Sequence, residues 1–372
     1  MSTVTVEDIV RRIDEFAPPV LAEDWDPIGL SFGSLTQPVK KIMIALDIDA
    51  DTIQEAKEQQ IDLIFTHHPA IFRSQKTLNA MDQRRKEYIE LIQAGIAVYS
   101  AHTNIDAAEN GMSDWLADQL GFPKERQIVY TSYQMPYKKI AVYVPKENAD
   151  QVRKAMHKAG AGEVGQYKDV SYHLDGWGRF TPQPGSDPAE GQINQETVVE
   201  EVRIEMMFPA TIQQTVISAI QSSHPYEEPV FDVFTLENAQ KAFGYGRAAE
   251  VNQTTEEMIH TVKRAFKLDG LKYGSVSTKK VHHKAAVFGG AGEKYYLDAK
   301  KQGATLFITG DISYHGAQDM LRDGIAFIDA GHYIESIFVE KMAEVMNQWK
   351  QEEGWTVEVY QAQAQKDVFK FS

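Results

Sequence analysis

Short unbroken apolar runs alternate along this chain with stretches in which apolar residues recur every three or four positions. This is the pattern of buried strands interleaved with amphipathic helices. Thr5-Val-Glu-Asp8 has the form of a capping box, and Ile9, Val10, Ile13 and Phe16 behind it predict a packing helix that Pro18-Pro19 stops. Residues 23–30 are rich in turn formers, and Trp25 is expected to anchor that loop in the core. A buried strand is predicted over 41–47 and its helix over 51–60. The next run, Ile61-Asp-Leu-Ile-Phe-Thr-His-His-Pro69, is apolar in four of its first five residues, then breaks into two imidazoles and a proline that cannot continue a ladder. A helix over 82–94 follows, then a third strand from 96 that ends in His102, Asn104 and Asp106, and a helix over 112–120.

Between residues 129 and 238 the rhythm changes. Strands are predicted over 138–145, 169–178, 199–208 and 230–236, with helices over 149–159 and 211–221. The order β-α-β-β-α-β is that of a ferredoxin-like unit. From Thr254 the earlier rhythm returns: a helix to 268, strands over 284–290, 304–311 and 325–329, and helices over 293–302 and 313–321 between them. A last amphipathic helix turns Ile334, Ile337, Phe338, Met342, Val345 and Met346 inward, and residues 356–360 read as an edge strand. The expected fold is α/β. Residues 1–128 and 239–372 form one outer domain of two duplicated α/β halves, and 129–238 form an inserted ferredoxin-like α+β domain. The duplication is read from Asp62-Leu-Ile-Phe-Thr-His-His and Thr305-Leu-Phe-Ile-Thr-Gly-Asp, each following an apolar strand by about 20 residues, the length of one βαβ unit.

Composition narrows the chemistry. With 372 residues, 43% hydrophobic and 24% charged, the chain is an ordinary globular protein of two or three domains. A net charge of −15 argues against nonspecific binding to nucleic acid or to an anionic membrane. No run approaches the roughly 18 apolar residues of a membrane span, and the first residues lack a basic segment followed by an apolar one, so the expected location is cytoplasmic. Without cysteine there is no disulfide, no thiolate nucleophile and no sulfur ligand, so any metal must be held by histidine and carboxylate.

Ligands of open α/β sheets bind beyond the carboxyl ends of the strands, where His67 and His68 stand. Taken alone, the pair equally fits a surface cap on the next turn. A second stretch, Phe327-Ile-Asp-Ala-Gly-His-Tyr-Ile-Glu335, repeats the design with His332 and Glu335 three residues apart after a glycine exit. Asp47 and Asp49 also end a strand. Asp106 by itself reads as the cap of the following helix, whereas its polar neighbours place it with the site. If the halves are duplicated and their loops converge, residues 67, 68 and 106 meet 332 and 335. His282-His283 precedes its strand and is expected at the opposite edge, without a metal; His157, His173 and His224 are assigned no catalytic role.

His67-His68-Pro69 after Phe65-Thr66, His102-Thr-Asn-Ile-Asp106, Thr309-Gly-Asp311, Gly331-His-Tyr-Ile-Glu335 and Trp25-Asp-Pro-Ile-Gly-Leu30 together resemble the NIF-three-like family of dinuclear metal proteins, often named type 2 GTP cyclohydrolase I homologues. The insert resembles the PII/CutA-type domain of the longer bacterial members. The resemblance implies that His67, His68, Asp106, His332 and Glu335 ligate two divalent ions, and that the chain assembles as a ring-shaped homohexamer. Some branches of the family carry the glutamate one residue later, where this chain has Ser336, which leaves Glu335 as the candidate. Adjacent residues on extended backbone point apart, so His67 and His68 suit two ions better than one. Three imidazoles and two carboxylates close two four-coordinate sites only if Asp106 or Glu335 bridges, and open positions remain for water or substrate. Zinc or iron is the expected occupant. His102, Asp47, Asp311 and His315 are candidates for orienting the ligands or moving protons. The function implied is a metal-dependent hydrolase that uses a metal-bound hydroxide on a small nucleotide-like substrate, as in opening the imidazole ring of GTP. No Walker A or dinucleotide glycine motif occurs, so nucleotide recognition rests on the resemblance alone. The alternative is a metal-binding scaffold or regulatory protein whose insert senses a ligand or partner.

Overall fold

The computed structural model describes residues 3–371 and divides into two compact units, Met1–Tyr133 with Phe243–Ser372, and Gln134–Ala242. In the first unit one sheet runs in the order Gly29–Phe32, Ala97–Ser100, Leu63–Thr66, Lys41–Ala45, Glu358–Gln361. The last four strands are parallel and the first is antiparallel to its neighbour. Side chains alternate between the two faces, as strand pleating requires. Ile42, Ile44, Leu63, Phe65, Ala97 and Tyr99 join the core built on the helices Val6–Phe16 and Ile337–Glu353. Met43, Ala45, Ile64 and Val98 face the helices Ala50–Gln59 and Gln83–Ala94. Covering both faces is what makes these strands read as continuous apolar runs.

A second group of strands in this unit has Val281–Val287, Leu306–Thr309 and Ala326–Asp329 parallel at its centre. Antiparallel partners flank them, Phe231–Thr254 on one side and Lys272–Gly274 on the other. Neither Lys272–Gly274 nor Gly29–Phe32 is foreseen from the sequence. Each is an edge strand with little or nothing buried, so neither carries an apolar run. His282 and His283 lie inside the first turns of their strand rather than before it.

The second unit places its strands in the order Tyr172–Phe180, Thr197–Pro209, Gln127–Pro145, Phe231–Thr254, with the helices Ala149–Lys158 and Gln213–Ser223 packed on them through Val152, Met156, Val216 and Ile220. Connectivity and order are ferredoxin-like. Gln127–Pro145 and Phe231–Thr254 extend well past the apolar runs that predict them, because backbone pairing continues where side chains are no longer buried on one face.

Candidate metal centre

Two imidazoles leave the strand Leu63–Thr66 on backbone that is still tied to its neighbour: the His67 and His68 amides donate to the carbonyls of Ala45 and Leu46. Past the strand end the two rings lie tilted to each other with centroids 5.0 Å apart. His67 is fully buried, and its Nδ1 meets the Ala101 carbonyl at 3.2 Å. That bond fixes the tautomer and leaves Nε2 facing Asp106 Oδ1 at 3.6 Å and Glu335 Oε2 at 3.8 Å. Among the described residues, neither His67 Nε2 nor Asp106 Oδ1 has a hydrogen-bond partner. His68 hydrogen-bonds Asp47 through Nδ1 at 2.8 Å and directs Nε2 to Glu335 Oε2 at 3.1 Å.

The other side comes from the turn after Ala326–Asp329. Gly331 turns in the left-handed region, and the 3-10 turn His332–Ser336 stacks His332 and Glu335, three residues apart, on one side. His332 Nδ1 is held by Asp311 at 2.7 Å, and Nε2 lies 3.1 Å from the same Glu335 oxygen and 3.4 Å from His68 Nε2. The neighbourhood requires glycine. A Cβ on Gly290, itself at φ +50°, would stand 2.9 Å from Glu335 Oε1, and one on Gly310 would stand 2.7 Å from the backbone at 331–332.

The electrostatics suit a group of residues that could hold a cation. Burial holds His67 well below the ordinary imidazole range, so its Nε2 lone pair is free. Burial, with Glu335 close by, drives the Asp106 carboxyl well above its usual value. His68 is pulled the other way: burial opposes protonation, but Asp47 and Glu335 outweigh it. His332 is raised chiefly by its contact with Glu335. Protons on His68 and His332 therefore stand where a metal's positive charge would otherwise balance Glu335. Three groups have donor atoms close enough to hold one ion: His68, His332 and Glu335; His67, Asp106 and Glu335; and His67, His68 and His102.

His102 thus lies close enough to the cluster to be a donor as well as an orienting group. Its Nδ1 is bound to the buried Asp26 at 3.0 Å, and Asp26 in turn accepts from the amide and hydroxyl of Thr103. Asp26 is missed from the sequence because it sits in the turn-rich stretch and resembles an ordinary turn former. Asp106 does not cap the following helix, whose N-cap is Gly111; its carbonyl accepts from Ser113 Oγ and its carboxylate stays free for the site. Asn104 turns away to the Ala17 carbonyl, and Asp49 caps the helix Ala50–Gln59. His315 is exposed on the helix Tyr314–Arg322 against the Tyr314 ring and is not brought to the cluster. Trp25 is also a correction: it is 57% exposed, packed edge-on to Phe72 and His102 at the edge of a cavity rather than sunk in the core. In the second unit, His224 clips its own turn, with Nε2 on the Tyr143 carbonyl and Nδ1 accepting from the Tyr226 amide.

The family model Duf34/NIF3 (NGG1p interacting factor 3) matches residues 4–368. The chain is 36% identical over 372 residues to the "GTP cyclohydrolase 1 type 2 homolog" of Bacillus subtilis, covering 99% of both chains. It is 37% identical to the protein of the same name from Listeria monocytogenes, covering 96% of each. Among solved structures, a Bacillus cereus protein related to NIF3 superposes with a TM-score of 0.94 at 33% identity, covering all of both chains. A Staphylococcus aureus protein follows with a TM-score of 0.78 at 27% identity, again over both whole chains.

Proposed function

This chain belongs to the Duf34/NIF3 family, and from that premise we propose that it is a metal-dependent hydrolase whose histidine–carboxylate cluster holds two divalent ions and acts on a small nucleotide-like substrate. The observation that carries the reading is the pair of orphaned, buried atoms, His67 Nε2 and Asp106 Oδ1, facing each other across 3.6 Å. Buried polar atoms are almost always satisfied, and a cation between the imidazole and an ionised Asp106 carboxylate would satisfy both atoms and offset the penalty that burial and Glu335 place on that carboxylate.

The residues present fit such a group. His68, His332 and Glu335 would hold one ion and His67, Asp106 and Glu335 the other, with Glu335 shared because its Oε2 lies near all three imidazoles. Nitrogen and oxygen donors without sulfur suit zinc or iron. The ions would supply Lewis acidity and lower the pKa of water. The remaining work falls to the protein. Asp47, Asp311 and the Ala101 carbonyl fix the three imidazoles by their Nδ1 atoms, so each presents Nε2 without reorganisation. Asp26 does the same for His102, giving an aspartate–histidine pair able to accept a proton from an attacking water and return it to the leaving group. The Asp26 carboxyl is kept ionised: burial works against it, and its bonds to His102 and Thr103 prevail.

The test is elemental analysis of the purified chain together with a turnover screen against GTP, phosphate esters and small amides. We expect two ions per chain and turnover of one substrate class that is lost in His67→Ala. A zinc-saturated protein holding none, or holding two and turning over nothing in the screen, rejects the hydrolase reading. The family likeness also carries a homohexamer, which light scattering at known concentration decides.

A further inference from the structure

The cavity over this cluster has features that metal binding does not use. It measures about 500 Å³, within the range of small-molecule sites, and continues from the imidazoles to Trp25, Phe72, Tyr245 and Lys294. We propose that these four residues form the recognition half of the site, seating a planar ring that carries an anionic group. The proposal rests on the metal reading above and adds to it the class of ligand and the residues that select it.

Three independent features converge. Trp25 and Phe72 are 57% and 54% exposed, with ring centroids 6.1 Å apart, and Trp25 leans edge-on against His102 at 6.2 Å. Two large rings left open at the lip of a cavity, beside a site histidine, offer a face for stacking rather than for packing. Tyr245 is only 4% exposed and lines the cavity, and among the described residues its hydroxyl, beside Ser132 and Glu23, makes no well-formed hydrogen bond. A buried phenol at a cavity wall that no well-formed hydrogen bond ties down can donate to a ligand acceptor. The charge balance points the same way. Four carboxylates line the cavity, Glu23, Asp47, Asp106 and Glu335, against the cations Arg84 and Lys294. Two divalent ions turn that net deficit into a net excess of positive charge, so the loaded site attracts an anion. Arg84 is occupied by the Ile48 carbonyl, which leaves Lys294, poised 4.7 Å over the Tyr295 ring, to meet the ligand's anionic group.

The experiment is equilibrium dialysis of the zinc-loaded full chain against GTP, guanosine and inorganic triphosphate, with zinc counted in every sample. GTP is expected to be retained by the wild type. The exposed positions make Trp25→Ala/Phe72→Ala safe for folding, and this double variant should weaken GTP at least tenfold while leaving triphosphate unchanged. Tyr245→Phe should weaken GTP several-fold, and Lys294→Gln should weaken GTP and triphosphate together but not guanosine. A double variant that binds GTP as the wild type does, or a wild type that holds zinc and retains no GTP, overturns the proposal. A wild type that holds no zinc is a different result, since it rejects the metal reading beneath it.

Discussion

This chain has two His-His pairs, and they teach opposite lessons. His67-His68 stands at the carboxyl end of a parallel strand and His282-His283 at the amino end of another. His67 and His282 are both fully buried, and burial lowers the proton affinity of each. His282 is satisfied by the protein: Nε2 meets Thr255 Oγ1 and Nδ1 meets Thr305 Oγ1, both at 2.9 Å. His67 has a partner on one nitrogen only. Two aspartates, Asp114 buried and Asp106 half-buried, repeat the contrast. Asp114 accepts from Arg247 at 2.8 and 2.9 Å and is reached by Arg126, whereas Asp106 is left with an unpartnered oxygen. Burial is therefore not what distinguishes the site. What distinguishes it is that, among the described residues, His67 Nε2 and Asp106 Oδ1 find no hydrogen-bond partner.

The largest effect that can break this comparison is at His67. His67→Ala should remove at least one ion and take turnover to background, read by elemental analysis and rate. Next comes the paired aspartate. Arg247→Ala should destabilise the fold by about 1.5–3 kcal/mol in denaturant unfolding, because it removes the charged hydrogen bonds to the buried Asp114 carboxylate while Arg126 remains beside it. The same pair sets an acid limb. Burial alone would raise Asp114, but its bonds to Arg247 outweigh burial and hold the carboxyl below its usual value. Its contribution is thus present above an unfolded pKa of about 3.9 and lost as pH falls through the lower folded value. Asp114→Asn should flatten that limb of Tm against pH.

Intermediate effects come from the carboxylates behind the imidazoles. Asp47→Asn and Asp311→Asn should each weaken zinc by about 10–100-fold in competition titrations, with little change in Tm. His282→Leu should do the reverse, costing about 1–3 kcal/mol for two hydroxyls left without the imidazole while zinc binding is unchanged. The smallest effect belongs to His315→Ala, which should change neither zinc affinity nor stability by more than about 0.5 kcal/mol. A metal loss in His282→Leu, or none in His67→Ala, would dissolve the distinction between the pairs.

Much of this was legible along the chain because periodicity reports burial directly. Runs such as Leu63–Thr66 and Ala326–Asp329 are apolar since both faces of their sheets are covered, and the abrupt polar exits after them mark His67, His68 and His332. The capping box at Thr5 is written in four residues and forms as read, and a second one, not read from the sequence, opens the helix that starts after Thr254. What stayed hidden depends on partners distant in sequence. Asp26 becomes a support for His102 across 76 residues, Glu335 meets His68 across 267, and Tyr245 is an ordinary strand residue until a cavity opens beside it. Trp25 reads as a core anchor because composition cannot tell a filled interior from an open lip. Sequence by itself determined which segments are strand or helix and where polarity erupts at their ends, since both follow from local periodicity and solvent exclusion. Only the tertiary structure decided which of those ends meet and which buried atoms lack a partner, because satisfaction of a polar group is a property of its three-dimensional neighbours.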